Sequence, residues 1–328
     1  MDAIIAFLFE AIRYGTPLLY GTVGEIVTEK AGSLNLGVEG LMALGAIGGF
    51  WVGAVTDSII LGILAAFLSA ALGGLVYSVL TVTFQANQNV TGLTLTIFGV
   101  GLYEFIGATL SANKVFPEIK EGGHIEFMKS DSGIPLLEDI PYIGKLLFSH
   151  NILVYLGLIL AVGLWFYMNK TKVGLKLRAT GENYGAADAC GVNVTLYRYF
   201  HIIFGAGISG VGGLYLGVII NNGKWNPGWI NGYGWIAVAL VIFAKWSTSR
   251  ALYGSLLFGA LTILNARKGN LKEAFPSVLG WVDKIPDEFY QMLPFVITLV
   301  VLVVSSITSK GKGDQPSCCG LNYYREDR

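Results

Sequence analysis

Apolar runs of about 20 residues, the length a helix needs to cross a bilayer, recur along the chain. They fall near 3–27, 36–56, 58–80, 90–110, 151–168, 199–220, 233–248, 251–265 and 289–308. This pattern predicts an all-α, polytopic transmembrane helical bundle of about nine spans. The first run carries Asp2, Glu10 and Arg13 and lacks a small-residue cleavage site behind a basic start, so it is expected to stay in the protein. The polar stretch 169–198 opens with Lys170, Lys172, Lys176 and Arg178, the mark of a cytoplasmic loop. The stretch 111–150 is acid-rich instead (Glu118, Glu121, Glu126, Asp131, Glu138, Asp139), and Pro117, Pro135 and Pro141 break it into short pieces, which suits an outer face. Counting spans from these anchors places Lys245, Arg250 and the tail with Lys310, Lys312, Arg325 and Arg328 inside, and the N-terminus outside. One membrane domain over 1–310 with a polar cytoplasmic tail over 311–328 is the expected organisation.

Composition agrees: 53% of the 328 residues are hydrophobic and 13% charged, about half the charge density of a soluble domain. Lys plus Arg and Asp plus Glu balance at 22 each, and no basic stripe with interleaved aromatics exists, so a nucleic-acid partner is not expected. Cys190, Cys318 and Cys319 are too few and too scattered for a disulfide framework or a zinc site. Neither a metal nor a cofactor is expected. The 44 glycines suit close helix packing in lipid, and Gly205, Ser209, Gly213 and Gly217, four residues apart, make one narrow stripe for it. The sequence contains no G-x-x-x-x-G-K-[ST] loop, so any ATP is handled by another polypeptide. Gly207-Ile208-Ser209-Gly210 has the spacing of an intramembrane protease serine, but His201 lies two turns away on the same helix and cannot serve as its base. Glu10, Arg13, Glu39, Glu104, His201 and Lys245 sit near span ends, where snorkelling and structural pairing account for such residues.

The most informative polar stretch runs from Thr171 to Val194. Thr180 can cap a short helix, Glu182 suits the positive end of its dipole, Ala186, Ala187 and Ala189 make a small-residue face, and Gly191 is a natural stop. Such a helix either inserts into a groove of a cytoplasmic partner or lies on the membrane surface.

This stretch resembles the coupling loop of permease subunits of bacterial ABC importers for branched-chain amino acids, simple sugars and nucleosides. NLGVEG at 35–40, IPLLEDIPYIG at 134–144, GYGWIAVAL at 232–240 and MLPFVITLVVLVV at 292–304 are similar in the same order. The combination is most similar to the nucleoside branch, served by a lipid-anchored basic-membrane-protein type binding protein. Tyr184 departs from a usual proline, Tyr233 from a common arginine, and Thr248 from a proline. The resemblance implies a non-catalytic permease of the bacterial cytoplasmic (inner) membrane. Its partners would be a second permease subunit, two cytoplasmic ABC ATPases and an external substrate-binding lipoprotein. Gly181, Glu182, Asn183, Ala186, Ala187 and Gly191 would then couple to the ATPase.

Asn35 can cap the second span, and Glu39 one turn further in can answer its dipole or pair across to another helix. Asn87, Thr91 and Thr94 offer amides and hydroxyls to a neutral solute, or else cap the helix and bond back to its own carbonyls. With Asn35 and Glu39 they are the candidate pathway residues. Trp225, Trp229, Tyr233 and Trp235 form an interfacial belt or a base-stacking surface. Nucleosides lead as solute, with riboflavin and simple sugars next. A secondary transporter working alone is the alternative.

Overall fold

The computed structural model describes residues 2–112, 140, 143–223, 225–274, 285–308 and 315–325. The outer stretch expected over 111–150 therefore lies largely outside the described residues. All regular elements among those described are helical: α1 (Asp2–Lys30), α2 (Val38–Thr56), α3 (Ile59–Ser78), α4 (Gln88–Ala112), α5 (Ile152–Lys170), α6 (Lys172–Glu182), α7 (Tyr184–Ala189), α8 (Val194–Tyr215), α9 (Tyr233–Phe243), α10 (Thr248–Ala274) and α11 (Asp287–Thr308). α3 and α8 each run on through a five-residue π turn.

Local sequence sets the boundaries. Ser58 Oγ accepts from Leu61 N at the start of α3, and Asn151 and Asn193 Oδ1 accept from Leu153 N and Leu196 N at the starts of α5 and α8. Each side chain satisfies one of the amides a helix start leaves unpaired. Asp57, in left-handed geometry, ends α2.

Among the described residues six helices, α1 to α5 and α8, are long and apolar enough to cross a membrane, so the expected nine spans are not matched one for one. The run at 233–248 falls on α9, only 11 residues long, about 16 Å of helix and half a bilayer. The runs at 251–265 and 289–308 fall within α10 and α11.

α8 is the most enclosed span and packs on α1, α2 and α3, while α10 closes the other side of α1. The small-residue stripe of α8 faces inward: Ser209 Oγ donates to the Gly205 carbonyl of its own helix at 3.2 Å and to the Gly21 carbonyl of α1 at 3.4 Å. A Cβ at Gly213 would overlap the Met42 carbonyl of α2. Backbones this close gain dispersion contacts along their length, the main source of helix cohesion in lipid. α3 and α4 turn apolar rows outward instead, with Leu64, Leu68, Ile97 and Phe105 all exposed.

Candidate functional site

Two loops converge on Glu39. The first, residues 31–37, rises from the end of α1 into α2, and side chains from five helices hold it. Tyr184 of α7 donates to the Gly32 carbonyl at 2.6 Å, and Arg198 Nε of α8 donates to Ser33 Oγ at 3.2 Å. Tyr77 of α3 donates to the Leu34 carbonyl at 2.5 Å, and Gln88 of α4 accepts from Leu34 N at 2.7 Å. Glu25 of α1 accepts from the amide N of Asn35 at 3.2 Å and from its side chain at 3.1 Å, and Thr96 of α4 donates to the Leu36 carbonyl at 3.0 Å. Asn35 does not cap α2 as its position in the sequence suggests. Gly37 is the N-cap residue and has no side-chain cap, and Asn35 Oδ1 accepts from Gly37 N at 2.9 Å. Glu25 holds both the backbone and side-chain N–H groups of Asn35 against α1, and α2 starts at Val38 behind Gly37.

The second loop, residues 221–232, descends from α8 into α9. Trp225 and Trp229 pack edge to face with centroids 4.5 Å apart and lie against Phe50 and Tyr103. The aromatic belt expected here is therefore corrected for these two residues: Trp229 is buried and Trp225 half-buried. An irregular backbone inside a membrane needs protein cover, and these rings supply it. Tyr103 donates to the Asn226 carbonyl at 3.1 Å, and Arg13 Nη2 donates to the Ile219 carbonyl at 2.5 Å and to Asn222 Oδ1 at 3.3 Å.

Between the loops, Glu39 Oε1 accepts from Gly232 N at 2.6 Å, and Oε2 accepts from Gly234 N at 2.7 Å and Trp235 N at 3.3 Å. The carboxylate thus answers the dipole of α9 rather than only that of its own helix. Its depth follows from neighbours: Thr22 of α1 donates to the Ala237 carbonyl at 3.2 Å, and Gly21 lies beside Val38 and Ala237. Gly21 is nine residues from the end of α1 at Lys30, about 14 Å along the axis, in a hydrocarbon core about 30 Å thick. A half-helix whose N-terminus opens near the bilayer midplane is the construction membrane transporters use for solute and ion sites.

At the basic end, where Lys170, Lys172, Lys176 and Arg178 lie, the stretch expected to hold one short helix holds two. Thr180 does not cap. It lies within α6, buried, and donates to the Lys176 carbonyl at 2.9 Å. Asn183 is the cap: its Oδ1 accepts from Ala186 N at 2.9 Å, breaking α6 from α7. Gly191, at φ +78, ends the turn after α7 as its composition predicted. Ala186 and Ala189 are exposed with Glu182, Gly185 and Cys190, but Ala187 faces inward with Tyr184, Val192, Val194 and Cys318. Gly181 is also buried, and its carbonyl accepts from Cys318 N at 2.8 Å.

Tyr184 sits where the resembled family usually carries proline, and it is the residue sequence reasoning undervalued. Its hydroxyl also donates to the Cys318 carbonyl at 3.3 Å, and its ring lies 5.0 Å from the Arg198 guanidinium carbon and 5.4 Å from the Tyr323 ring. Burial pushes its phenol above the usual range, so it stays a donor.

The tail is not a free polar end. Residues 315–325 fold against α7 and the turn before α4, and burial raises the Cys318 and Cys319 thiols. The Glu29 carboxylate adds to the rise at Cys319. On α4 itself, Asn87 Oδ1 accepts from Val90 N at 3.1 Å, and Thr91 and Thr94 each donate at 2.8 Å to the carbonyl four residues back. Asn87 and Thr94 remain exposed, while Thr91 is buried. No group of three metal-ligating side chains occurs among the described residues.

A polytopic helical bundle with a broken helix at mid-depth and a short helix docked at its basic end defines a membrane permease. Residues 7–302 match the branched-chain amino acid transport system / permease component family, and the chain belongs to it. The nucleoside ABC transporter permease protein NupC of Lactococcus lactis is 32% identical, covering 95% of this chain and 94% of its own. The guanosine ABC transporter permease protein NupQ of Bacillus subtilis is 31% identical over 96% and 95%. The putative glucose ABC transporter permease protein TsgC13 of Haloferax volcanii is 32% identical over 99% and 99%. No solved structure matches. The chain is thus an ABC transporter permease, a multi-pass protein of the cytoplasmic membrane.

Proposed function

We propose that this permease carries nucleosides inward as the membrane-spanning half of an ATP-driven importer. It would work with a second permease subunit, two cytoplasmic ATPases and an external binding lipoprotein. It would catalyse nothing itself, with ATP hydrolysis on the separate ATPase. The observation that carries this reading is the unbroken line from α7 through the Tyr184–Gly32 bond and loop 31–37 to Glu39 and α9. Such a line gives a cytoplasmic event a physical route to the middle of the membrane, the two-state coupling a pump requires. The exposed face of α7, with Glu182, Asn183, Gly185, Ala186 and Ala189, is the part an ATPase groove can reach. Gly181, Ala187 and Gly191 shape that helix from within and at its end.

Of the pathway candidates, Asn87 and Thr94 keep exposed positions on α4 and present polar atoms to a neutral solute. Asn35, Glu39 and Thr91 act through the backbone they hold. The nucleoside names of NupC and NupQ support the solute class. The test is uptake of radiolabelled guanosine against glucose in cells carrying the full transporter, with Ala186→Arg as the coupling variant. A long unpaired cation forced into a protein interface is strongly destabilising, so the variant should reach the membrane yet lose both ATPase co-purification and uptake. Glucose uptake without guanosine uptake would replace the solute. Uptake by the permease alone, driven by an ion gradient, would replace the ATP-driven mechanism with secondary transport.

A further inference from the structure

The tail was the part of the sequence that promised least, yet it is tied to two moving parts of a transporter at once. On one side it holds the α6–α7 unit. Cys318 N donates to the Gly181 carbonyl at 2.8 Å, Ser317 Oγ donates to Glu182 Oε2 at 3.0 Å, and Tyr323 OH donates to Asp188 Oδ2 at 2.7 Å. Arg325 pairs with the same Asp188 oxygen at 3.5 Å. On the other side it holds the turn that starts α4. Gln85 Nε2 donates to the Tyr323 carbonyl at 3.0 Å, Asn322 Nδ2 donates to the Gln85 carbonyl at 2.6 Å, and Gln88 Nε2 donates to the Leu321 carbonyl at 2.9 Å.

The second set is costly to build. Gln85 adopts φ +56, a left-handed backbone that side-chain-bearing residues avoid, and Gln88 is buried. Gln88 also spans two systems, since its Oε1 accepts from Leu34 N while its Nε2 serves the tail. Between α7 and the α4 turn lies a cleft of about 380 Å³ lined by Val82, Gln85, Asp188, Asn193, Tyr323 and Arg325. The tail crosses one wall of it, so it is the direct polar bridge from α7 to the α4 turn. Directional hydrogen bonds on both sides make that bridge stiff in tension and compression.

We propose that residues 315–325 are a mechanical clamp that carries movement of the coupling helix α7 to the inner end of α4. This rests on the coupling reading above and adds a second route: loop 31–37 meets α4 at the buried side chains of Gln88 and Thr96, whereas the tail holds the turn at Gln85 directly.

The experiment uses the assembled permease with its cognate ATPase. A reporter cysteine at Asn89, exposed at the inner end of α4, is placed in a Cys190→Ser background. Its rate of labelling by a maleimide is compared without nucleotide and in the vanadate-trapped ATP state, after subtracting the chain without the reporter. In the full chain the rate should change by about fivefold or more, the lower end of allosteric coupling. A chain stopped after residue 314, and the full-length double variant Gln85→Ala/Asn322→Ala, should keep the ATPase bound and hydrolysing while the labelling change disappears. The double variant covers the case in which truncation harms folding. An unchanged ATP response in the double variant overturns the clamp, and so does loss of the ATPase from both variants, which would make the tail a docking element instead. Ala186→Arg separates the two levels. If it leaves association and the ATP response at wild-type values, the coupling reading falls and takes the clamp with it. If it abolishes them while the tail variants respond normally, only the clamp falls.

Discussion

The loops on either side of Glu39 are built from opposite materials. Residues 32–36 are gripped one by one by hydroxyl, amide, guanidinium and carboxylate groups from α1, α3, α4, α7 and α8. Residues 221–223 and 225–232 rest on tilted and edge-to-face rings, Trp225 and Trp229 against Phe50 and Tyr103, with Arg13, Tyr103 and Glu39 bonding Asn222, Asn226 and Gly232. Hydrogen bonds fix direction and distance, whereas these four rings meet at interplanar angles from 38° to 62° and are held by contact area rather than by one bonded distance. On the coupling proposed above, loop 31–37 would act as a rigid link and loop 221–232 as a bearing. Glu39 joins them, so a displacement of α7 would re-aim the N-terminus of α9 while the second loop adjusts. This division suits a machine driven from one side only.

The comparison breaks most completely if the frame behind both loops is pushed apart. Gly213→Leu places a branched side chain where a Cβ already overlaps the Met42 carbonyl, just past Glu39 on α2. α8 and α2 cannot both keep their positions, so no folded permease should be recovered, as size-exclusion chromatography in detergent would show. Normal assembly of this variant would mean that the stripe faces lipid.

Removing the junction itself comes next. Glu39→Ala leaves the Gly232, Gly234 and Trp235 amides without their acceptor, and a buried unsatisfied donor such as Gly234 N costs about 1–3 kcal/mol. The variant should fold with a markedly lowered melting temperature and transport nothing. Glu39→Gln, which keeps an acceptor oxygen, should recover much of the stability but not the full interaction with the helix dipole. Equal loss in both variants would assign the effect to charge rather than to the hydrogen bonds.

A pH experiment probes the end of α1 beside Arg13, the residue that bonds Asn222 of loop 221–232. His150 stacks on Phe9 with centroids 4.3 Å apart and is buried. Burial lowers its pKa to about 4, and the Arg13 charge pushes the same way. An unfolded histidine titrates near 6.5, so between these values the unfolded chain binds the extra proton. Stability contributed by neutral His150 is then complete above about pH 6.5 and is lost as pH falls toward 4, by roughly 3 kcal/mol in all. The melting temperature should fall over this window, and His150→Phe should flatten that fall. An identical pH profile in the variant would show that His150 is not the group responsible.

The helical membrane class was legible in the sequence because it depends on pattern. Apolar runs marked α1 to α5 and α8, and the stop at Gly191 followed from composition. The half-helix α9 was not legible, because an apolar run continues past it through Ala244 to Trp246 and hydropathy does not register a turn at Lys245 and Trp246, whose φ values are +49 and +53. The partners of Asn35 were misjudged for a related reason. Local rules assign a side chain to its own helix end, whereas in a bundle the nearest unpaired group is often on a neighbour. Arg198 shows the limit most clearly: a cation in the second turn of α8, buried beneath Tyr184, has no local sequence signal at all.

The mildest variant tests the rigid link. Tyr184→Phe keeps the ring beside Arg198 and Tyr323 but removes the hydroxyl that donates to the Gly32 and Cys318 carbonyls. One buried hydrogen bond is worth about 1 kcal/mol net, so the melting temperature should shift by only a few degrees and the ATPase should remain bound. If loop 31–37 transmits movement, uptake should nevertheless fall far more than this stability change explains, because α7 can then move without pulling Gly32. The matching change on the bearing side, Tyr103→Phe, removes the bond to the Asn226 carbonyl at similar structural cost and should leave uptake close to wild type. Comparable uptake losses in the two variants would show that both loops transmit force alike, and the division between link and bearing would be wrong.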